Sequence, residues 1–179
     1  MPATPRTARA CALALAGLGL AASTMTAQPA VAASGGGSTT EITTTSAHPR
    51  PVARRIDDRV LGARDTAMRQ RGDAYAYGAS GPDRFDCSGL VYYSFRRAGF
   101  AVPRTSGAQA GFTRRVAKQD MRPGDLMFFT GSGGVYHAAI FLKWSHGHAV
   151  MVHSPGSGER VRVAVPWTSS WFGGTLRRR

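Results

Sequence analysis

Hydrophobic residues at steps of three and four positions mark the first predicted helix. They are Val52, Ile56, Val60, Ala63 and Ala67, and this spacing places them on one face of an α-helix. Because glycine readily adopts the left-handed conformation that ends many helices, Gly72 is expected to stop it. We therefore predict that the folded part of the chain starts near Val52 with an amphipathic helix.

A second helical pattern covers residues 87–98. Asp86 stands before it as an N-cap, because its carboxylate can accept hydrogen bonds from the free N–H groups of a first turn. Gly99 closes it, and the basic last turn suits the negative end of the helix dipole. The inner face of this predicted helix consists of Leu90, Val91, Phe95 and Ala98.

After the turn signature at residues 123–125, the pattern changes to short apolar runs separated by Gly, Ser and His clusters. Such runs predict β-strands. Helices followed by strands indicate an α+β domain, with N-terminal helices packed on a central antiparallel sheet of about five strands. The predicted strands cover residues 126–130, 135–142, 149–153, 160–165 and 172–177.

The first 32 residues have the pattern of a signal peptide. Two arginines without an acid precede an apolar run at residues 11–22, and Ala30-Val31-Ala32 fits the small-residue rule for cleavage. We expect cleavage after Ala32 or one residue later, and a secreted protein associated with the cell wall. The apolar run is too short to span a bilayer. A lipid-modified cysteine would follow the end of such a run, whereas Cys11 stands at its start. No stable membrane anchor is therefore expected.

Residues 33–51 are rich in Gly, Ser and Thr and end between prolines. This composition predicts a flexible linker with too little apolar surface to fold. The folded domain is therefore expected over residues 52–179. With 42% hydrophobic residues in a chain of 179, one domain with a buried core is expected, and wholesale disorder is excluded.

The chain is strongly basic, with 23 Lys and Arg against 10 Asp and Glu, a formal net charge of +13. Residues 1–32 hold two arginines and no acid, so the remaining chain keeps 21 basic and 10 acidic residues, a net charge of +11. A basic surface favours polyanions. Export makes anionic wall polymer the expected partner rather than nucleic acid, which would favour aromatic residues among the basic clusters. Those clusters, at residues 54–55, 114–115 and 177–179, are expected on a solvated face.

Cys87 is the one cysteine beyond residue 32, so it has no partner for an intrachain disulfide. Its place in a predicted first helical turn favours the thiolate and lowers the thiol pKa. The alternative is a small buried core cysteine. The chemistry therefore depends on which other groups the fold brings to Cys87.

Two histidines lie on neighbouring predicted strands. His137 is within residues 135–142, and His153 ends residues 149–153. If the two strands form a hairpin, one imidazole can act as base to Cys87 while the other orients that base, as in cysteine and serine triads. The alternative is a pair of structural histidines.

His146, His148 and His153 could also be read as zinc ligands. No acidic residue or cysteine stands at metal-ligand spacing with them, and His146-Gly147-His148 is typical of an exposed hairpin tip. We therefore expect no metal and no cofactor.

The order of short motifs resembles the NlpC-type bacterial cell-wall endopeptidases. The resemblance spans residues 56–178 and implies a pared-down papain-like α+β fold. It also implies hydrolysis of peptide bonds in peptidoglycan stem peptides, commonly between D-γ-glutamate and a diamino acid. The motifs that carry it are Tyr75-Ala76-Tyr77-Gly78, residues 81–91 with Asp86-Cys87-Ser88-Gly89, Pro103-Arg104-Thr105-Ser106, Arg122-Pro123-Gly124-Asp125-Leu126 and Gly134-Val135-Tyr136-His137.

The resemblance implies a role for each matching residue. Cys87 corresponds to the nucleophile, His137 to the general base and His153 to the third, orienting residue. The positions that shape the substrate cleft correspond to Tyr75, Asp86, Ser88 and Arg104. Tyr75 and Asp86 would help to hold the free amine of a stem peptide's L-alanine, since a carboxylate suits an ammonium ligand. The alternative for Asp86 is a helix cap alone.

The sequence departs from the family pattern at four places: Tyr77 replaces a common Trp, Arg84 a small residue, and Ala138-Ala139 a typical Gly, and residues 143–148 lengthen the connection between the histidines. Two other functions stay open: an N-acetylmuramoyl-L-alanine amidase, and a non-catalytic basic module that binds wall polymer. A monomer is expected.

Overall fold

Helix α1 (Pro51–Arg69) carries the amphipathic pattern predicted for residues 52–67. Val60, Ala63 and Ala67 are fully buried, whereas Val52 in the first turn is exposed. The structure is a computed structural model that describes residues 51–177. The predicted signal peptide and residues 33–50 of the predicted linker lie outside the described residues.

Helix α2 (Cys87–Arg97) begins at the predicted residue because the Asp86 side chain accepts a hydrogen bond from the Gly89 N–H, at 2.6 Å. Its apolar face, including Leu90, Val91 and Phe95, is buried against α1 and the sheet. A third helix, α3 (Ser106–Phe112), was missed by the sequence analysis. Thr105 caps it, but two glycines in seven residues hide its helical pattern.

Six strands form an antiparallel sheet in the order β3-β8-β4-β5-β6-β7, and β1 and β2 form a separate parallel pair. The predicted α+β architecture is confirmed, with one short, charged edge strand, β3, beyond the five predicted strands. The bounds are β1 (Ala74–Tyr75), β2 (Arg84–Phe85), β3 (Arg114–Val116), β4 (Leu126–Gly131), β5 (Gly134–Ser145), β6 (His148–His153), β7 (Arg162–Ala164) and β8 (Trp171–Thr175). A short 3₁₀ turn, Lys118–Asp120, precedes β4.

The two faces of the sheet carry separate apolar clusters, because side chains alternate along each strand. Phe128 and Ile140 belong to the cluster under α1 and α2. Phe129 and Phe141 belong to the cluster on the opposite face, together with Met151 and Trp171. The helices therefore cover one face, as predicted, and the second face has its own smaller core.

The β5–β6 hairpin is extended beyond the two histidines. Ser145 pairs with His148, and the turn between them has positive φ at both His146 (50°) and Gly147 (78°). This is the backbone conformation of a type I′ turn, which matches the twist of paired strands. The residues that lengthen the connection thus form a regular hairpin tip, as predicted.

No helix among residues 51–177 is long and apolar enough to cross a membrane.

Candidate active site

Asp86 anchors the start of α2, where Cys87 lies. Its carboxylate accepts hydrogen bonds from the N–H groups of Gly78 (2.9 Å) and Gly89 (2.6 Å) and from the Ser88 hydroxyl (3.3 Å). Arg104 adds two more, at 3.0 and 2.7 Å, as a bidentate ion pair. Burial by itself would raise the pKa of Asp86, but the hydrogen bonds from Arg104 and Gly89 hold it below its ordinary value. Asp86 is therefore a charged cap tied to the protein on both oxygens.

Gly89 allows the chain to fold tightly around this cap. A Cβ atom at Gly89 would lie 2.0 Å from the Ala79 carbonyl oxygen and 3.0 Å from Asp86 Oδ1. The Ala79 oxygen also accepts a hydrogen bond from Arg104, at 3.1 Å. The glycine of the Asp-Cys-Ser-Gly motif is thus required by a close approach of backbone to backbone.

The Cys87 side chain is half-buried and lies against β5, within hydrogen-bonding reach of the Ala138 N–H. Burial raises the pKa of the Cys87 thiol, and the negative Asp86 works in the same direction, while hydrogen bonds from Ala138 and Ser88 oppose them. The sequence analysis expected a lowered pKa from the helix start alone. That expectation was wrong, because burial and the nearby Asp86 charge outweigh the hydrogen bonds that stabilise the thiolate.

The two predicted histidines lie next to each other, and His137 directly precedes Ala138, whose N–H is within hydrogen-bonding reach of the Cys87 thiol. His137 Nε2 and His153 Nδ1 are 3.0 Å apart, and both rings are buried. Burial lowers the pKa of His137 to about 4, and burial together with His137 and Arg162 lowers the pKa of His153 to about 3. Both imidazoles are therefore neutral at pH 7.

Trp167 covers this histidine pair and was not singled out by the sequence analysis. Its ring stacks on Phe129, with centroids 4.5 Å apart and planes 8° apart. It also meets His137 edge-on at 5.2 Å and lies over His153 at 5.7 Å. The residues around Trp167 form no apolar repeat, so the sequence carried no signal for this contact.

The residues that the resemblance assigned to substrate binding meet at one cleft of about 430 Å³. Tyr75, half-buried at the end of β1, lines it together with Asp86, Ser88 and Arg104, and Cys87 opens into it. Burial raises the pKa of Tyr75, so its hydroxyl is protonated at neutral pH. Five further lining residues were not predicted as site residues: Tyr77, Gly78, Thr105, Ser106 and Tyr136.

Gln109 supports the cleft from behind. It is fully buried in α3, and its Nε2 donates to the carbonyl oxygens of Ser88 and Pro103, both at 2.9 Å. A buried glutamine bridging two loops cannot be recognised from a single sequence, because its partners are distant along the chain.

This arrangement has the parts of a nucleophilic site: a thiol at a helix start, an imidazole on the strand that the thiol contacts, and a second imidazole that holds the first. The first N–H groups of α2 have no intrahelical acceptors; that of Gly89 is held by Asp86, which leaves that of Cys87 for an oxyanion. Among residues 51–177, no group of three or more His, Cys, Asp or Glu side chains is placed to hold a metal ion.

The fold and the order of the site residues match one family of proteins. The profile of the NlpC/P60 family matches residues 72–178, more than half of the chain. This chain belongs to the NlpC/P60 family. Over 92 residues it is 40% identical to the probable endopeptidase p60 of Listeria monocytogenes, a match that covers 51% of this chain and 18% of p60. The shared NlpC/P60 domain is thus a small part of that relative.

Solved structures of the family have the same fold. The peptidoglycan hydrolase RipB of Mycobacterium tuberculosis is 31% identical, with a TM-score of 0.60, and the match covers 74% of this chain and 70% of RipB. RipD of the same organism, described as a non-catalytic NlpC/p60 domain protein adapted to peptidoglycan binding, is 23% identical with a TM-score of 0.56. That match covers 66% of this chain and 97% of RipD, and it concerns the fold alone.

Proposed function

We propose that this NlpC/P60 protein is a secreted cysteine endopeptidase that cleaves peptidoglycan stem peptides, at the bond between D-γ-glutamate and a diamino acid. The observation that carries the proposal is the hydrogen-bonded pair of His137 and His153 on the sheet, together with the Cys87 thiol that meets the same strand at Ala138, the residue after His137. The family and its named endopeptidases and hydrolases support the reaction class. The identity of the bond rests on the family resemblance.

The resting state is a neutral thiol with a neutral imidazole, as the directions of the pKa shifts require. For His137 to act as a base, its free nitrogen must be Nδ1, because Nε2 is engaged with His153. His137 Nε2 then carries the proton and donates to His153 Nδ1, which fixes the ring. His153 thus orients the base without itself taking a proton.

Catalysis proceeds in two steps. As the Cys87 sulfur attacks the scissile carbonyl, its proton moves to His137, and the Cys87 N–H at the start of α2 holds the oxyanion. The C–N bond breaks, the amine leaves with the proton from His137, and a thioester remains on Cys87. His137 then takes a proton from water, the resulting hydroxide displaces the sulfur, and the proton returns to Cys87.

Tyr75, Asp86, Ser88 and Arg104 form the proposed binding side of the cleft. The negative charge of Asp86 is already compensated by Arg104, so Asp86 acts first by holding Ser88 and the helix start in place. Ligand contact is proposed mainly for the Tyr75 hydroxyl and for the part of Arg104 that faces the cleft. We further propose export after cleavage near Ala32 and retention at the wall through basic surface residues.

The test is mass spectrometry of purified peptidoglycan fragments after incubation with the mature chain. New fragments ending in D-glutamate are expected with the wild type. Cys87→Ala and His137→Asn should lose activity by several orders of magnitude, about the cost of removing a triad member. His146→Asn is the matched control, because His146 lies exposed at the hairpin tip, and it should cleave normally.

Each other outcome points to a different function. Release of whole stem peptides would indicate an amidase that cuts next to N-acetylmuramic acid. Binding without products from a folded wild type would indicate a non-catalytic module, as RipD is described. Normal cleavage by Cys87→Ala would contradict the mechanism.

A further inference from the structure

All three tryptophans of the chain line one groove on the sheet face opposite the helices. The groove has a volume of about 400 Å³, within the usual range for a small-molecule site. Its other walls come from the hairpin tip and from the segment before β8. Neither the nucleophile nor the substrate-binding residues described above belong to it.

Trp171 forms the floor of the groove, which we call the tryptophan groove. Only 8% of Trp171 is exposed, and the Lys118 ammonium covers its ring at 4.2 Å. Lys118 is held there by a hydrogen bond to the Ser169 carbonyl oxygen, at 2.8 Å. The floor is therefore packed and rigid.

Trp144 and Trp167 are the accessible rings of the groove, 40% and 55% exposed. Trp144 is supported by Phe141 at 5.5 Å and by Trp171 at 6.4 Å between centroids. Trp167 rests on Phe129 with nearly parallel planes. Both indoles are thus fixed by aromatic partners while much of each ring faces solvent.

Trp167 also connects the groove to the proposed catalytic pair. Its ring touches His137 edge-on, with centroids 5.2 Å apart. A ligand lying along the tryptophan groove would therefore end within one ring of the general base.

The sequence feature behind the groove is the extended β5–β6 hairpin. Trp144, Gly147 and His148 all come from the residues that lengthen the connection between His137 and His153. The proposed triad does not use this extension. The extension instead places the Trp144 ring and the polar His148 side chain in the wall of the groove.

We propose that the tryptophan groove binds the glycan strand of peptidoglycan, through stacking of N-acetylated hexosamine rings on Trp144 and Trp167. The proposal rests on the proposed function, because it assigns the groove to another part of the same substrate. The negative face of an indole ring attracts the weakly positive C–H bonds that cover one face of a hexose ring. His148, Thr168 and Ser169 at the rim supply partners for hydroxyl and acetamido groups.

Charge favours sugar over the cationic end of a diamino acid. No acidic side chain is among the described residues that line the groove, and Lys118 is its one ammonium. An ammonium ligand would meet no carboxylate there, whereas a neutral glycan meets no unpaired charge.

The first experiment titrates the mature chain with a peptide-free probe, the β-1,4-linked tetrasaccharide of N-acetylglucosamine. Binding is followed by tryptophan fluorescence and by the indole N–H signals in NMR spectra. We expect saturable binding that Trp144→Ala weakens about tenfold and Trp144→Phe largely restores. Phe112→Ala is the matched control, because Phe112 is 48% exposed on α3, outside the groove, and it should bind as the wild type does.

The second experiment compares cleavage of a free stem peptide with cleavage of the same peptide on its glycan. The measured quantity is kcat/KM for the glycan-linked peptide divided by kcat/KM for the free peptide. Trp144→Ala should lower this ratio about tenfold, as it lowers tetrasaccharide binding, and Phe112→Ala should leave it unchanged. Thermal unfolding of each variant excludes a folding defect, and Trp144→Phe repeats the test with an aromatic ring retained.

The outcomes separate the two proposals. Free peptide cleaved without any tetrasaccharide binding would overturn the glycan groove and leave the endopeptidase standing. Equal binding of the tetrasaccharide by the wild type and by Trp144→Ala would also contradict the glycan proposal. The same holds if the free stem peptide, and not the saccharide, shifts the indole N–H signals. If the protein binds the saccharide but cleaves no peptide, the glycan-binding proposal is supported and the endopeptidase proposal is contradicted.

Discussion

Gly89 is the residue at which the cysteine motif is most tightly constrained by packing. Since a Cβ at this position would meet the Ala79 carbonyl at 2.0 Å, Gly89→Ala must push the start of α2 away from the Ala79 loop. We expect this substitution to lower the free energy of unfolding by about 3 kcal/mol or more, the upper range for overpacking a core. Chemical denaturation measures it.

Gly62→Ala is the matched control for Gly89→Ala. Gly62 is exposed on α1, and nothing lies within 4 Å of a Cβ placed there. Because alanine favours helix over glycine, this variant should be more stable by about 0.5–1 kcal/mol. Equal effects of the two substitutions would contradict the close approach inferred at Gly89.

The buried histidines predict an unusual pH profile. The proposed mechanism needs His137 unprotonated, and burial lowers its pKa to about 4, so the acid limb of kcat/KM should lie near pH 4 rather than near 6.5. The raised thiol pKa moves the alkaline limb upward. Initial rates on a soluble muropeptide between pH 3.5 and 10 would test this, and an acid limb near 6.5 would show that the ring is not desolvated.

The same shifts set the pH dependence of stability. In the folded state His137 and His153 have pKa values near 4 and 3, below the ordinary 6.5. Below about pH 6.5 the unfolded chain therefore binds more protons than the folded chain. The contribution of the two histidines to the free energy of unfolding is complete above that pH and is lost as the pH falls toward 4 and 3. Thermal unfolding at each pH separates this loss from the acid limb of activity.

At the scale of elements, Arg177 ties the end of the sheet to the rest of the domain. It follows β8, is 5% exposed, and pairs with Asp125 before β4 at 2.6 Å and with Asp57 in α1. It also donates to the Pro123 carbonyl oxygen, at 2.7 Å. The sequence analysis placed Arg177 in a solvated cluster and inside a predicted strand, and both expectations were wrong. The sheet ends at Thr175, and the guanidinium is buried because it pairs with these two distant acids.

Removing this tie should be costly. Arg177→Ala leaves the buried Asp125 carboxylate without its cation, and breaking a buried pair in this way costs about 3–5 kcal/mol. Arg162→Ala is the control, because its pair with Glu159 is exposed and is worth at most about 1 kcal/mol. Urea unfolding of both variants measures the difference, and similar losses would contradict a special role for Arg177.

A feature could be predicted from the sequence when the residues that decide it lie close together along the chain. Asp86, Gly99 and the hairpin tip were predicted because a cap or a turn is decided within a few residues. Helix α3, strand β3 and the Trp167 contact were missed, because glycine content, charge and distant partners carry no local pattern. The predicted direction of the Cys87 pKa shift was wrong, because the burial that raises this pKa depends on the whole fold and cannot be read from the motif alone.

For the whole molecule, the proposed attraction to wall polymer depends on where the basic residues lie. Arg55 and Arg114 are exposed and line one groove of about 1000 Å³ together with Arg59. Arg59 is occupied by the Ala98 and Gly99 carbonyl oxygens. Arg55 and Arg114 are therefore the side chains of this groove best placed to meet an anionic polymer.

Binding to purified wall should weaken steeply with salt, since the screening length falls from about 10 Å at 0.1 M to about 3 Å at 1 M. The Arg55→Gln/Arg114→Gln double variant should bind less at low salt and show a shallower salt dependence. Arg71→Gln/Arg97→Gln removes the same charge from other exposed positions and should change less. Co-sedimentation with wall fragments measures both. Equal losses would mean that net charge alone governs retention. Salt-independent binding would mean that stacking and hydrogen bonds hold the protein on the wall instead.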